Sequence, residues 1–236
     1  TNQKSNLIQV FDLNNFTLIA SIPVNNSPRG MSLSRNKNTL FVTHFSSGEI
    51  SVIDTADLSV IKTISLGSRA GLTQAFVIDE VEAVAYVPNT MRNSDNQNLV
   101  FDNTVFPFVS IIDLNELIHL RGDRIALDII DKPVGMPLEA ALQNSILYVA
   151  NAASNDLTII DLKSKKALAH VEVGSFPTGI DISESGGEIY IHNSLDGTIS
   201  VMDTDSFIVG SVIESTVIPV SSAVLNGQKL FHSSDD

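Results

Sequence analysis

The side chains best equipped for chemistry in this 236-residue chain are five histidines and 27 carboxylates, with no cysteine. The lack of cysteine removes disulfides, thiolate zinc sites, cysteine nucleophiles and covalent c-type haem attachment within the chain. His44, His119, His170, His192 and His232 include no pair three or four residues apart, the spacing of a local metal site on a helix. No pair of carboxylates has an evident reason for a raised pKa. No Gly-x-Ser-x-Gly elbow, phosphate-binding loop or dinucleotide fingerprint occurs, and Gly186-Gly187 reads as a hairpin turn. The expectation is a chain with no catalytic residue and no metal ligand of its own.

Any site must therefore be assembled by the elements that repeat. Ser51-Val52-Ile53-Asp54-Thr55 recurs as Ser110-Ile111-Ile112-Asp113-Leu114, Thr158-Ile159-Ile160-Asp161-Leu162 and Ser200-Val201-Met202-Asp203-Thr204, with an earlier copy ending in Asp12-Leu13. The aspartates from Asp12 to Asp203 stand 42, 59, 48 and 42 residues apart. A second marker precedes the later copies as Phe41-Val42-Thr43-His44, Tyr86-Val87-Pro88-Asn89, Tyr148-Val149-Ala150-Asn151 and Tyr190-Ile191-His192-Asn193. Such periods mark a stacked architecture.

Each copy holds β-branched runs with period-2 alternation, separated by Gly, Asn, Asp and Ser clusters, and so reads as strands. In the last complete copy the runs are Thr178 to Ser183, Glu188 to Asn193, Thr198 to Asp203 and Ile208 to Ile213. One four-stranded meander cannot bury both its faces, so copies must stack, and radial stacking gives an all-β β-propeller of antiparallel blades. The units run 1–27, 28–69, 70–134, 135–175 and 176–218. The repeated Asp is expected to accept backbone N–H bonds in the following turn. His44 and His192 lie in neighbouring columns and alternate in direction, so no shared metal is expected.

Charge narrows the partners. A formal charge of −13 repels phosphate backbones, so nucleic acid is not expected. No apolar run reaches the ~18 to 20 residues of a membrane span.

The Tyr-Val-x-Asn and Val-Ile-Asp-Thr markers, with Pro28-x-Gly30 and Phe176-Pro177-Thr178-Gly179 opening units, resemble the YVTN β-propeller repeat family from Leu7 to about Val217. His44 departs from its Asn, and Pro88 from its usual small residue. The third unit is expanded between Asn89 and Val109. Asp95, Asn96, Asn98 and Asp102 give that insertion the oxygen-rich character of a calcium loop, though the sharp-turn Gly and terminal bidentate acid are missing.

After Pro219 the character changes. Ala223-x-x-x-Gly227-x-x-Leu230-Phe231, capped by Ser221 or Ser222, resembles the first helix of a c-type cytochrome domain, of the kind that follows such propellers in di-haem cytochrome c peroxidase-like proteins. Asn151 to Asp156 and the long third unit share that resemblance. It implies haem c in a neighbouring domain only. In a rival reading, residues 219–231 align on Pro28 to Phe41, Asn226-Gly227 is a hairpin turn, and a split blade closes a five-bladed ring. In the helical reading the repeats belong to a larger ring, commonly of seven blades.

Function follows as an expectation: a non-catalytic binding or scaffold module of an exported redox protein, periplasmic or extracellular, that docks a c-type haem partner. Alternatives are a lactonase- or hydrolase-like propeller enzyme acting at the channel mouth, and a cell-surface adhesion or structural module. His44, Asn89, Asn151 and Asn193 end the second strand of successive blades and are expected to gather at one channel mouth; the alternative is that they only tie blades together by hydrogen bonds and the insertion packs on its own propeller. The insertion starts from the same column and brings Met91, Phe106 and Phe108 as apolar anchors and Arg92 as a cation.

Overall fold

The computed structural model describes residues 1–93, 104–128 and 133–234. The chain divides into two compact units, Thr1–Arg124 and Ile125–Asp236.

In the first unit β1 (Leu7–Phe11) and β2 (Leu18–Pro23) form an antiparallel pair, and β3 (Pro28–Leu33), β4 (Thr39–His44), β5 (Glu49–Asp54) and β6 (Ser59–Ser65) form a four-stranded meander. The third sheet is built differently. Its first strand is broken into β7 (Ala70–Gly71) and β8 (Val77–Asp79), both paired with β9 (Val84–Arg92). The chain continues through β10 (Val105–Asp113) and β11 (Ile118–His119). The second unit holds β12 (Ile125–Ala126) and two regular meanders: β13 (Pro137–Gln143) to β14 (Ile146–Asn151), β15 (Asp156–Asp161) and β16 (Lys166–Glu172), then β17 (Pro177–Ile182), β18 (Glu188–Asn193), β19 (Thr198–Asp203) and β20 (Val209–Glu214). This is the all-β, four-stranded-blade fold of a β-propeller. The runs expected in the last copy lie within one residue of β17 to β20.

The β3–β6 blade is covered on both faces, which is why its inner strands β4 and β5 are buried almost throughout. On one face of the β3–β6 blade, Phe41, Ile50 and Val52 pack with Phe76, Ala85, Val87 and Ile112 of the next sheet, and Phe41 stacks on Phe76 at 4.6 Å. On the other, Val42 and Ile53 meet Ile8 and Ile22 of the preceding pair. The second unit repeats the scheme, with Tyr148 and Ile159 against Ile189, Ile191 and Met202. Val52, Ile111, Ile159 and Val201 share one register, each opposite the aromatic residue of the neighbouring strand, and all four are buried.

Gly30 shows how tightly blades meet. A Cβ there would sit 2.0 Å from the Gln74 carbonyl oxygen. Thr43 Oγ1 accepts from Gly30 N at 3.0 Å and donates to that same carbonyl at 2.7 Å. The Pro-x-Gly opening is thus a contact requirement rather than a turn requirement.

The expanded third unit is a long hairpin. Pairing runs without a break from Asp113↔Val84 to Val105↔Arg92, so residues 90–92 and 105–108 are strand where the sequence suggested loop. Asp95, Asn96, Asn98 and Asp102 lie outside the described residues. At the other end, helix α1 (Ser222–His232) replaces the strands of the split-blade reading. Ser221 caps it by accepting from Val224 N. Gly227 is not among the glycines with positive φ, so Asn226-Gly227 is helical and makes no hairpin turn.

Candidate functional site

The column His44, Asn89, Asn151 and Asn193 occupies equivalent strand ends, as the repeat requires, but its side chains lie inside the blades. All four residues are buried. Each bonds to the first residue of the next marker. His44 Nε2 meets Ser51 Oγ at 2.8 Å, Asn89 and Ser110 meet at 3.2 Å, Asn151 Nδ2 donates to Thr158 Oγ1 at 2.8 Å, and Asn193 Nδ2 donates to Ser200 Oγ at 2.9 Å. Asn151 Nδ2 also donates to Asp156 Oδ1 at 2.6 Å. The two sequence markers therefore recur together because they hydrogen-bond to each other across the β-ladder. Of the two readings of the column, the buried side chains and these bonds fit the structural tie.

His44 fits this role despite replacing Asn. Its Nδ1 bonds to the Asn26 carbonyl at 3.1 Å, and burial holds its pKa below the ordinary histidine value, with the Asn26 backbone and the Glu49 charge acting in the opposite direction. The neutral ring bridges two polar groups as the amide does elsewhere.

The repeated aspartates shape turns. Asp54 Oδ1 accepts from Ala56 N and Asp57 N at 2.8 and 3.0 Å, Asp113 Oδ1 from Asn115 N and Glu116 N at 2.8 and 2.9 Å, and Asp203 Oδ1 from Ser206 N at 2.8 Å. Hydrogen bonds from Ser164 and the Lys163 backbone lower the pKa of Asp161, and Ser206 does the same for Asp203. Four residues after each Asp the chain adopts positive φ, at Phe16, Leu58, Leu117, Lys165 and Phe207. The carboxylate stabilises a turn that closes on a left-handed residue.

The hairpin residues behave otherwise. Met91, Phe106 and Phe108 are half-buried and Arg92 is exposed. Phe106 and Phe108 share one face of β10 with Met91 opposite Phe106, and their rings lie 6.5 Å apart. Here the structure adds what the sequence did not suggest. The Arg124 guanidinium lies over the Phe108 ring at 4.6 Å and bonds to Met91 Sδ at 3.1 Å. Arg69, brought alongside by the β7–β9 pairing, donates to Asn93 Oδ1 at 3.2 Å. These residues line a cleft of about 280 Å³. A neighbouring cleft of about 360 Å³ shares Arg69, Met91 and Arg124 and adds His119 and Arg121. Both His119 ring nitrogens are buried without a well-formed hydrogen bond. Burial lowers the His119 pKa first, and the charges of Arg121 and Arg124 lower it further, against the Ser65 backbone. Four of the six arginines thus border two adjoining clefts of a chain carrying −13.

Among the described residues no group of three or more His, Asp or Glu is placed to hold a metal, and no helix is long and apolar enough to cross a membrane.

No family model matches the chain, and no curated protein matches it. Solved structures do. The chain is similar to a hydrazine synthase of Kuenenia stuttgartiensis at 16% identity and TM-score 0.57, over 86% of this chain and 79% of that one. It is similar also to a protein of unknown function from Bacteroides caccae at 10% identity and TM-score 0.67, over 91% of this chain and 71% of that one. At these identities the likeness is one of fold. Matching solved chains number 1150, so the fold is too widely shared to select an activity.

Proposed function

We propose that the chain is a non-catalytic propeller module of the YVTN type, part of an exported redox protein of the periplasm or cell exterior, and that it docks a c-type haem domain. The observation carrying this reading is the state of helix α1. The helix is capped and complete, yet none of its residues is buried, and Leu230 and Phe231 are 80% and 84% exposed. An eleven-residue helix is marginal in water on its own and gains its stability from packing an apolar face. Here one side is fastened: Lys229 pairs with Asp196, and the His232 ring lies 4.8 Å from Phe176. The opposite side carries Ala223, Gly227, Leu230 and Phe231, at the i, i+4, i+7 and i+8 positions of one stripe. The two small residues leave room for a second helix to approach closely, and the two large ones supply anchors. The same four residues carry the resemblance to the first helix of a c-type cytochrome domain.

The test is binding of a di-haem c-type cytochrome domain to the chain, followed by haem absorbance in surface plasmon resonance or co-elution. Binding lost in the Leu230→Ser/Phe231→Ser variant, with an unchanged melting temperature, supports the reading. No binding, or binding indifferent to the double substitution, overturns it.

A further inference from the structure

We propose that the cleft on the β9–β10 hairpin is a binding site for a small organic acid, with a carboxylate held by arginine and an apolar body laid against Met91, Phe106 and Phe108. The inference rests on first-unit residues alone and is independent of the helix, so either reading can fail without the other.

Three observations converge. The first is charge. A chain with nearly two acidic residues for each basic one gathers Arg69, Arg92, Arg121 and Arg124 around adjoining clefts. Like charges are costly to collect, and a cluster of them on an otherwise acidic protein is an arrangement that an anion stabilises. Among the described residues, the Arg92 and Arg121 side chains take part in no hydrogen bond or ion pair, so their donors are available. Asp123, the acid of the same turn, makes contacts of its own.

The second is preorganisation. Arg124 is fixed from two directions, by stacking on Phe108 and by its bond to Met91 Sδ. A guanidinium held by its flat face keeps edge N–H groups for a planar carboxylate, which it can meet with two parallel bonds. In the adjoining cleft His119 lies with Arg121 and Arg124, and burial first and then those two charges lower its pKa.

The third is shape. The aromatic cleft has room for the volume of about nine waters, which suits a ring and a short chain rather than a bare ion. Phe106 and Phe108 are only half-buried although both are paired across the ladder to β9, in the first half of β10. A flat apolar group would cover what the fold leaves open.

The probes are 3-phenylpropionate, the uncharged 3-phenylpropanol and inorganic phosphate, titrated into the full chain by calorimetry at low salt. Saturable binding of 3-phenylpropionate in the millimolar range is expected, at least about tenfold tighter than either of the other two. Arg92→Gln and Arg121→Gln should each weaken it about three- to tenfold, as loss of a charge-assisted bond does, while Arg35→Gln leaves it unchanged. Melting temperatures of all three variants should match the parent, since these side chains hold no fold contact. No saturable binding up to about 20 mM, equal binding of the alcohol, or an unaltered affinity in the Arg92→Gln/Arg121→Gln double variant overturns the proposal. Phosphate binding as tightly as the acid would overturn it too, leaving a plain anion site without an apolar half.

Discussion

Replacing Asn151 by Ala should cost more stability than replacing any other amide of its column. Asn151 has 0% exposure, and its Nδ2 supplies two bonds, one to the buried Asp156 carboxylate at 2.6 Å and one to Thr158 at 2.8 Å. A buried hydrogen bond contributes ~1 kcal/mol and stranding its buried acceptor costs a further ~1–3 kcal/mol, so the joint loss of these two bonds from the interior amounts to about 3 kcal/mol. Asn193 donates only to the neutral hydroxyls of Thr198 and Ser200, at 3.1 and 2.9 Å. Its replacement by Ala should cost about 1–2 kcal/mol. Converting through the usual ~2–4 °C per kcal/mol for chains of this size, Asn151→Ala should lower the melting temperature by roughly 6–12 °C and Asn193→Ala by roughly half that. Far-UV circular dichroism suits the measurement because the chain lacks Trp. The double variant Asn151→Ala/Thr158→Val should lose less than the two single losses combined, since the shared bond is removed only once. A loss below ~0.5 kcal/mol for Asn151→Ala, or a larger loss for Asn193→Ala, would refute the view that this column ties the strands of each blade together.

His44→Asn restores the amide found at the other three positions and should fold with nearly parental stability at pH 7. Burial sets the His44 pKa below its unfolded value of 6.5, so the stability carried by the neutral ring is complete above 6.5 and falls as pH drops from there through the folded value. The variant should therefore lose less stability than the parent between pH 7 and pH 5 in urea titrations, and an identical pH profile would show that His44 does not contribute. Gly30→Ala should destabilise by more than ~2 kcal/mol, because the new Cβ would sit 2.0 Å from a backbone oxygen that cannot swing away; a melting point within a degree of the parent would contradict that contact. Phe16, 77% exposed with φ of 56°, should gain up to ~1 kcal/mol when changed to Gly, and a lower melting temperature would show that its ring packs in solution.

The fold was legible because its rules are local and stated five times. Asp at a strand end followed four residues later by a left-handed position is a turn instruction, and the aromatic residues opposite Val52, Ile111, Ile159 and Val201 set the register. Helix α1 was legible only as one of two patterns, since Asn226-Gly227 serves a hairpin as well as a tolerated helical Gly, and the packing of Lys229 and His232 decides between them. The amide column was open to two readings for a related reason. A polar residue recurring at strand ends looks like a lining of binding groups, and whether it faces solvent depends on its Ser or Thr partner across the ladder and on what packs over it.

The cleft was only half legible, and the missing half explains where to look in such proteins. Met91, Arg92, Phe106 and Phe108 stood out because they lie on an insertion. Arg69, His119, Arg121 and Arg124 did not, because it takes strand pairings such as β7–β9 and β10–β11 to bring residues so far apart in sequence to one place. What a repeat preserves is what every blade needs to stack, so the repeated positions report on stability. What one blade does alone is free to serve something else. The third sheet departs from the pattern in its broken first strand, its nine-residue hairpin arms and its concentration of four arginines between Arg69 and Arg124. None of these departures is needed to bury a blade face, since the regular meanders of the second unit are buried without them. A long hairpin with half-open aromatics and clustered cations adds charge repulsion and exposed apolar surface, and a ligand that is both anionic and apolar offsets both costs at once.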